Sequence, residues 1–405
     1  MRVMHVVHTH PLLGSTGGTE LYVEALAAAR GDLVFTRDDG PGLRRQDNVW
    51  MAGVPRGKGF RGSWSSPAVS AALAEVVARE KPDLLHVHHL AHLDLSPPPA
   101  PYVLTLHDYH LACARGQLVN QASELCEGPS PTRCGTCVAS QLRTPSKLAG
   151  LGELVHALGL SRVAQAALEA APPSDAMKAE VEERNAAGRA VLAGARRVLS
   201  PSTVLARRFE GMGLVERVHV QDLPLVGPVE RRERRPGPTR FLFVGSLLPT
   251  KAPMLLLRAF SQLRSGTLDI WGPKVPYFGS ADYAEGVLRV AERTPRARYR
   301  GVFKRARRSD VYGDADVLVV PSTWPENSPL VVREALAAGL RVVATGHGGV
   351  GEIDPDARLV EPGDVDALVQ ALQAELTAPA RRRARDFPMD EHLAQLSVHY
   401  SACSF

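Results

Sequence analysis

The fold of this chain is constrained most by an alternation of short apolar runs and longer helical stretches that starts twice along the sequence. In the first half, the apolar runs predict strands at residues 2–7, 33–35, 84–87, 102–106, 197–199 and 218–223. In the second half, they predict strands at residues 241–244, 268–271, 297–299, 317–320, 341–344 and 358–360. This alternation is typical of βα units around parallel sheets. The sequence therefore predicts an α/β fold with two Rossmann-like lobes.

The length of the chain supports the same division. A chain of 405 residues exceeds what one compact core usually holds. Residues 227–240 are rich in proline and arginine, as expected for an exposed connection. We therefore assign a first lobe to residues 1–226 and a second lobe to residues 227–387. Residues 150–193 are predicted to be a helical insertion in the first lobe, and residues 388–405 a final helix.

The charge and hydropathy patterns limit the partners and the location. The formal net charge of +5 is small, and the basic runs at residues 231–235 and 381–385 lack interleaved aromatic side chains. These runs indicate solvated surface rather than a nucleic acid site. The sequence has no apolar run of about 18 residues that would predict a membrane-spanning helix, and it opens on a strand without a signal-peptide pattern. We expect a cytoplasmic protein and leave peripheral membrane contact open.

The clearest candidate site is the strand–turn–helix segment at residues 317–339. A buried strand is followed by a turn, with Ser328 as the predicted N-cap, Pro329 as the first helical residue and Gly339 just past the helix end. Ligands of α/β folds bind at the carboxyl ends of parallel strands. A helix N-terminus at that edge suits a phosphate or a sugar hydroxyl.

Two acidic residues of this segment are candidates for the binding of a sugar. Glu326 lies in the turn, and Glu334 lies where the second turn of the helix can face the same crevice. Carboxylates beside a phosphate would be unfavourable unless they accept hydrogen bonds from hydroxyls. A second strand–helix transition, at residues 241–251, ends on Lys251, which is predicted to open a helix over about 251–263. Its compact charge suits a diphosphate.

Three further stretches lie at predicted strand ends. The glycine-rich residues 14–20 follow the first strand, and the glycines within residues 348–352 follow the strand at 341–344. Glycine allows a backbone to approach a ligand closely. In the first lobe, His107 and Asp108 close another strand, where a histidine can orient a substrate hydroxyl.

Together these stretches resemble family 4 of the retaining GT-B glycosyltransferases, most specifically over residues 240–366. By this resemblance, Glu326 lies by the donor sugar, Glu334 contacts the ribose of the nucleotide, Lys251 binds phosphate and His107 lies near the transferred sugar. The implied catalytic residues are His107, Lys251 and Glu326. The implied donor site comprises Gly17, Gly18, Gly245, Ser246, Lys251, Glu326, Asn327, Ser328, Pro329, Leu330 and Glu334. The acceptor side comprises Glu20, His107 and Asp108.

The resemblance also has consequences for the reaction. It implies transfer of a sugar from a nucleoside diphosphate sugar with retention, in glycoconjugate, polysaccharide or glycosylated-metabolite biosynthesis. The acceptor, a sugar, a lipid-linked group or a small molecule, stays undetermined. A final helix that crosses back onto the first lobe and the lack of a catalytic metal are implied as well. Ser246 replaces an arginine of the family pattern, so Lys251 would act alone or with an arginine from elsewhere.

Three other functions are weighed against this one. A dehydrogenase is suggested by the glycines at residues 14–18 with Asp38 about 20 residues further on, although they do not fit G-x-G-x-x-G. A nucleotide-sugar epimerase of the same two-lobed architecture would need acid–base carboxylates in the first-lobe cleft. A carbohydrate-binding protein without catalysis is the third alternative.

The sequence contains three candidate metal sites. Cys113, Cys126, Cys134 and Cys137 lie within the predicted loop 112–138, and four thiolates suit a structural zinc. The spacing is not that of a common zinc module, so unliganded thiols remain the alternative. Asp314 and Asp316 form an Asp-x-Asp, but their place before a buried strand argues against a metal. His86 and His88 share one face of a strand, without an evident third ligand.

Overall fold

The computed structural model describes residues 1–14, 17–120, 124–143, 172–230, 236–276, 282–379 and 385–403, with the backbone alone at 140–143. The strands of the first sheet are β1 Val3–Val6, β2 Leu33–Asp38, β3 Gly42–Gln46, β4 Val49–Gly53, β5 Leu84–Val87, β6 Tyr102–Thr105, β7 Arg197–Ser200 and β8 His219–Val220. The strands of the second are β9 Arg240–Val244, β10 Thr267–Trp271, β11 Ala297–Gly301, β12 Val317–Val320, β13 Arg341–Thr345 and β14 Arg358–Val360.

The helices lie on both faces of these sheets. In the first lobe they are α1 Gly18–Arg30, α2 Pro67–Glu80, α3 Pro131–Arg143, α4 Asp175–Gly194 and α5 Thr203–Gly211. The second lobe contains α6 Pro253–Phe260, α7 Asp282–Arg293, α8 Arg308–Gly313, α9 Leu330–Ala338, α10 Val350–Ile353 and α11 Val365–Glu375, and α12 Met389–Ser401 closes the chain. Within the described residues, no helix is both long enough and apolar enough to cross a bilayer.

The second sheet has the strand order of a Rossmann fold. Its order is β11-β10-β9-β12-β13-β14, and every pairing is parallel. The strand order reverses between β9 and β12, and the crevice outside that point is where such sheets bind ligands. The segments with Lys251 and Glu326 follow these two strands, so the topology brings them to one edge.

The first sheet has the order β3-β4-β2-β1-β5-β6-β7-β8, which reverses between β1 and β5. The hairpin of β3 and β4 was not predicted. Strand β3 is polar, exposed and antiparallel at the sheet edge, so it has no apolar alternation to mark it. Asp38, the residue that suggested a dehydrogenase, accepts a hydrogen bond from Arg44 of this hairpin at 2.9 Å. The Asp38 carboxylate, which would have to bind a ribose in a dehydrogenase, is thus already hydrogen-bonded to Arg44.

The last helix, α12, packs on the first lobe. Leu396 and Tyr400 are fully buried in the core that covers one face of the first sheet. The Tyr400 hydroxyl lies 2.6 Å from Nδ1 of His86, and Nε2 of His392 lies 2.8 Å from the Tyr22 hydroxyl. The chain therefore returns to the lobe in which it started.

Several predicted segments fall partly or wholly outside the described residues. These are the basic run at 231–235, most of the run at 381–385, and residues 150–171 of the predicted helical insertion. The described remainder of that insertion belongs to α4.

Candidate active site

A cavity of about 570 Å³ lies between the two lobes, at the carboxyl edges of both sheets. It is lined by every residue of the predicted donor site and catalytic set: Gly17, Gly18, His107, Gly245, Ser246, Lys251, Glu326, Asn327, Ser328, Pro329, Leu330 and Glu334. Glu20 and Asp108, predicted on the acceptor side, are not among its lining residues.

Glu326 is held by three donors in the turn after β12. Its Oε1 accepts hydrogen bonds from Ser322 at 2.5 Å, from the Trp324 indole at 2.9 Å and from Lys251 Nζ at 2.6 Å. The Lys251 ammonium also lies 5.0 Å from the centre of the Trp324 ring, within the range of a cation–π contact. These contacts fix the carboxylate in a buried position.

Lys251 does not open a helix, contrary to the sequence prediction. It ends a short 3-10 turn, Pro249–Lys251, and α6 begins only at Pro253. Ala252 between them has a φ of 51°, a left-handed conformation that interrupts the helix. The turn still delivers Lys251 to the cavity, because it follows β9 at the sheet edge.

Glu334 lies in α9 and faces the cavity beside an arginine that the sequence analysis did not single out. Its carboxylate accepts a hydrogen bond from the Tyr312 hydroxyl at 2.6 Å and lies 3.1 Å from Nε of Arg308. Burial raises the pKa of Glu334, and Arg308 opposes that rise. The ion pair with Arg308 thus offsets part of the cost of burying the Glu334 carboxyl.

Two arginines add positive charge to the same cavity. Arg305 and Arg308 both line it, and they follow β11 in the basic run at residues 304–308. Arg305 also forms an ion pair with Glu24 of the first lobe. Both arginines line the same cavity as Ser246, the position at which the family pattern has an arginine. The basic run after a predicted strand was the signal that could have identified them.

The start of α9 differs from the prediction. Pro329 is the N-cap, α9 begins at Leu330, and Ser328 makes no capping bond. Its hydroxyl accepts instead a hydrogen bond from Arg333 at 2.7 Å. Gly339, with a φ of 84°, ends the helix as predicted.

Asn327 joins the two lobes beside His107. Its amide nitrogen donates to the carbonyl oxygens of Leu106 at 3.2 Å and His107 at 3.1 Å, and its oxygen accepts from the Ser202 hydroxyl at 2.5 Å. The Asn327 amide therefore fixes the position of the second-lobe turn relative to the end of β6. This role, as a clamp between lobes, was not predicted.

The glycines after β13 approach the protein's own backbone rather than a ligand. A Cβ atom on Gly348 would lie 2.2 Å from the carbonyl oxygen of Glu326, and one on Gly349 would lie 2.0 Å from that of Asn327. Glu352, in the following helix α10, accepts hydrogen bonds at 2.7 Å from the backbone N–H groups of Thr203 and Val204. It thereby caps α5 of the other lobe.

On the first-lobe side, α1 begins at the cavity. Gly17 is its N-cap, and the Glu20 carboxylate folds back so closely that a Cβ on Gly17 would lie 2.1 Å from it. Glu20 is buried and lies 3.2 Å from Nε2 of His8. Burial raises the pKa of the Glu20 carboxyl. Glu20 therefore shapes the glycine turn instead of lining the cavity.

His107 lines the cavity, whereas the neighbouring Asp108 points to a histidine cluster behind it. Asp108 lies 2.7 Å from Nε2 of His89 and accepts a hydrogen bond from the His110 backbone at 2.7 Å. Although burial alone would raise it, the pKa of Asp108 lies below its usual range, because His89 favours the ionised form. Burial lowers the pKa of His107 to about 3, so its ring is neutral.

The four clustered cysteines lie apart from the cavity. Cys134 and Cys137 lie on α3, so the end of the predicted loop, residues 131–138, is helical, while Cys113 and Cys126 precede the helix. Burial raises the pKa of Cys134 to about 11. Of the four thiols, all in the described part, no three have sulfurs mutually within 4.8 Å. A zinc ion would require this segment to tighten, and zinc binding stays a prediction.

The other candidate metal residues are used differently. Asp316 receives the backbone N–H of Arg240 at 2.9 Å and its guanidinium at 3.1 Å, so it closes the start of β9. His86 and His88 do share one face, and the structure supplies the third histidine that spacing did not suggest. It is His5, and the three rings bring one nitrogen each within 4.8 Å of one another.

Residues 238–377 match the family model described as glycosyl transferases group 1. The second lobe belongs to this family. The matched residues include Lys251, Arg308, Glu326 and Glu334, all of which line the cavity.

Similar proteins cover part of the chain only. D-inositol 3-phosphate glycosyltransferase of Rhodococcus erythropolis is 30% identical over 183 residues, 41% of this chain and 40% of that protein. Lipopolysaccharide 1,2-N-acetylglucosaminetransferase of Salmonella typhimurium is 31% identical over 156 residues, 36% of this chain and 41% of that protein. The chain thus spans less than half the length of these relatives.

Solved structures match nearly the whole chain. Sucrose-phosphate synthase from Thermosynechococcus elongatus has a TM-score of 0.68 at 18% identity, covering 99% of this chain and 98% of that one. Anabaena HepE in complex with UDP-glucose has a TM-score of 0.62 at 16% identity, covering 99% and 100%. These similarities show the fold, and the predicted GT-B arrangement is confirmed, including a final helix on the first lobe.

Proposed function

We propose that this protein transfers a sugar from a nucleoside diphosphate sugar to an acceptor hydroxyl, with the anomeric configuration of the donor retained. One observation carries the proposal: the cavity between the lobes combines basic side chains with two buried, hydrogen-bonded carboxylates. Basic side chains suit a diphosphate, and carboxylates accept hydrogen bonds from sugar and ribose hydroxyls. The family of the second lobe and the UDP-glucose complex of a protein with the same fold support the same assignment.

Lys251 is placed to bind the departing diphosphate. Its side chain is 29% exposed, and among the described residues its ammonium donates a hydrogen bond to Oε1 of Glu326 alone. An ammonium has three N–H donors, so Lys251 can hold Glu326 and a phosphate oxygen together. Arg305 and Arg308 add charge on the same wall. Their positive charge stabilises the negative charge that develops on the leaving group.

The two carboxylates take separate roles. Glu326 keeps acceptor capacity beyond the three donors that fix it, because a carboxylate offers about four lone-pair sites, and it would position the donor sugar. Glu334, held by Tyr312 and Arg308, would accept a hydrogen bond from the ribose.

The proposed reaction is a direct displacement at the anomeric carbon. The bond to the bridging phosphate oxygen breaks, the acceptor oxygen bonds to the same face of the carbon, and the acceptor proton passes to the departing diphosphate. Both carboxylates of the cavity are engaged by hydrogen-bond donors. That arrangement favours displacement assisted by the leaving group over attack by a side chain.

We also propose a structural zinc on Cys113, Cys126, Cys134 and Cys137, separate from the chemistry. The first residues of this segment are anchored by Arg184, a fully buried side chain of α4 that donates to the carbonyl oxygen of Cys113 at 3.2 Å. Four thiolates would bind zinc without leaving an open position for catalysis.

A donor panel tests the proposed function. The protein is incubated with UDP-, GDP-, ADP- and dTDP-sugars, with and without NAD, and release of the nucleoside diphosphate is measured. We expect release from one class of donor, independent of NAD and at least about tenfold slower in Lys251→Ala. Epimerised nucleotide sugar would indicate an epimerase, reduction of NAD a dehydrogenase, and binding without release a carbohydrate-binding protein. Each of these results would overturn the proposal.

A further inference from the structure

A series of buried hydrogen bonds connects His107, at the carboxyl end of β6, to Asp32, at the amino end of β2. Nε2 of His107 lies 3.0 Å from Nδ1 of His88, and Nε2 of His88 lies 3.0 Å from Nδ1 of His5. Nε2 of His5 then lies 3.2 Å from Oδ2 of Asp32, which also accepts from Nε of Arg30 at 2.6 Å. The series thus runs along the sheet from the cavity to the start of β2.

The protonation states of the hydrogen-bonded histidines follow from the carboxylate of Asp32 at the end of the series. Although burial alone would raise it, the pKa of Asp32 lies below its usual value because His5 and Arg30 favour the ionised form. Burial lowers the pKa of His5 and holds that of His88 well below its usual value. The carboxylate can therefore only accept, and each neutral ring carries one N–H.

These constraints leave one direction for the hydrogen bonds. His5 must donate from Nε2 to Asp32, so its Nδ1 can only accept. His88 must then donate from Nε2 to His5, and its Nδ1 accepts from Nε2 of His107. The remaining nitrogen of His107, Nδ1, carries a lone pair.

That nitrogen is open to the cavity. None of the described residues forms a hydrogen bond with Nδ1 of His107, the atom is not among the buried polar atoms without partners, and the ring lines the cavity. Tyr22 and His86 pack against the series through their rings and leave its hydrogen bonds intact.

We propose that Asp32, His5 and His88 are positioning residues that fix the tautomer of His107, so that Nδ1 accepts a hydrogen bond from a hydroxyl of the bound sugar. The identity of the hydrogen-bond donor rests on the proposed function, whereas the tautomer does not. In this arrangement His107 selects ligands that present an O–H at its position. It does not supply a proton.

A metal ion is an alternative explanation for these histidines, because one nitrogen each of His5, His86 and His88 lies within 4.8 Å of the others. Every ring nitrogen of the three already has a partner: His86 pairs with Tyr400 at 2.6 Å and with Thr105 at 2.7 Å, and the others pair within the series. A metal would have to break these contacts. The hydrogen bonds of His5 and His88 within the series, together with those of His86 to Tyr400 and Thr105, account for all six nitrogens.

The experiment reads the tautomer directly by ¹⁵N NMR of histidine-labelled protein, with His107→Gln used to assign the resonances. We expect a protonated Nε2 and an unprotonated Nδ1 on His107 in the free wild-type protein. His88→Leu removes the acceptor of the Nε2–H, and a buried unpaired donor is costly, so part of the proton should move to Nδ1. His88→Gln should restore the wild-type tautomer, because its amide can accept from His107 and donate to His5. Where His88→Leu fails to fold, Asp32→Ala replaces it.

The ligand is tested with UDP-glucose and with UDP alone. We expect the Nδ1 resonance to shift on saturation with UDP-glucose and not with UDP. A wild-type proton on Nδ1, equal spectra for His88→Leu and His88→Gln, or a stoichiometric metal ion lost in His86→Gln would overturn the tautomer assignment. Saturation with UDP-glucose without a shift would overturn the hydroxyl assignment. The spectra of the free protein decide the tautomer even where no donor is turned over.

Discussion

Replacement of Lys251 by alanine isolates the proposed diphosphate contact. The ammonium lies 2.6 Å from Glu326 and 5.0 Å from the centre of the Trp324 ring. Its loss removes one charge-assisted hydrogen bond to the donor, worth roughly 1.5–3 kcal/mol. This corresponds to a fall in kcat/KM of about ten- to 150-fold. Glu326 keeps its hydrogen bonds from Ser322 and Trp324, so the fold should persist.

The assay compares initial rates of nucleotide release at varied donor concentration for the wild type, Lys251→Ala and Lys251→Arg. Lys178→Ala is the matched control, because Lys178 pairs with exposed Asp175 on α4 and exposed pairs contribute little. We expect the control to match the wild type and Lys251→Arg to recover part of the lost activity. Unchanged kinetics in Lys251→Ala, with a donor that the wild type uses, would refute the role of this lysine.

Four further predictions concern the rest of the molecule. Glu334→Gln should weaken donor use by about tenfold or more through the lost ribose contact; an unchanged KM for the donor would argue against that contact. Activity should survive EDTA, since no catalytic metal is proposed, and its loss with recovery on addition of a divalent cation would contradict this. Protein purified without chelator should contain about one zinc per chain. Cys134→Ser should lower the melting temperature or acceptor use more than it lowers donor binding. Four freely titratable thiols in protein without zinc would contradict the zinc proposal. Glu352→Ala should lower the free energy of unfolding by about 1 kcal/mol, because it removes two hydrogen bonds from the first amides of α5 while the Ser202 cap stays. An unchanged melting temperature would show that these two bonds are dispensable.

Most strands with strong apolar runs could be predicted from the sequence, although the buried apolar strand β4 was not. Strands β5 and β12 have the predicted bounds, because each is a short, buried and mainly apolar run. Strand β14 also has its predicted bounds, although two of its three residues are exposed. Strand β3 could not be predicted in this way, because its pairing partner alone gives it an extended form.

The candidate donor site follows from the same rule of topology. Lys251 and Glu326 lie after parallel strands, and parallel strands end at one edge, so their proximity could be expected. Two other contacts could not be expected from topology alone, because they depend on distances within the folded lobes. They are the ion pair of Arg308 with Glu334 and the hydrogen bond between His5 and His88. Residues in the middle of a strand, such as His5, carry no local signal of such a partner.

The most direct test of the account is a ¹H NMR spectrum of the complete reaction, with the donor identified by nucleotide release. The account predicts equal amounts of nucleoside diphosphate and of a new glycoside whose anomeric proton has the configuration of the donor. A glycoside of the opposite configuration would contradict retention. A donor that is left intact, or converted only to its epimer, would contradict glycosyl transfer itself.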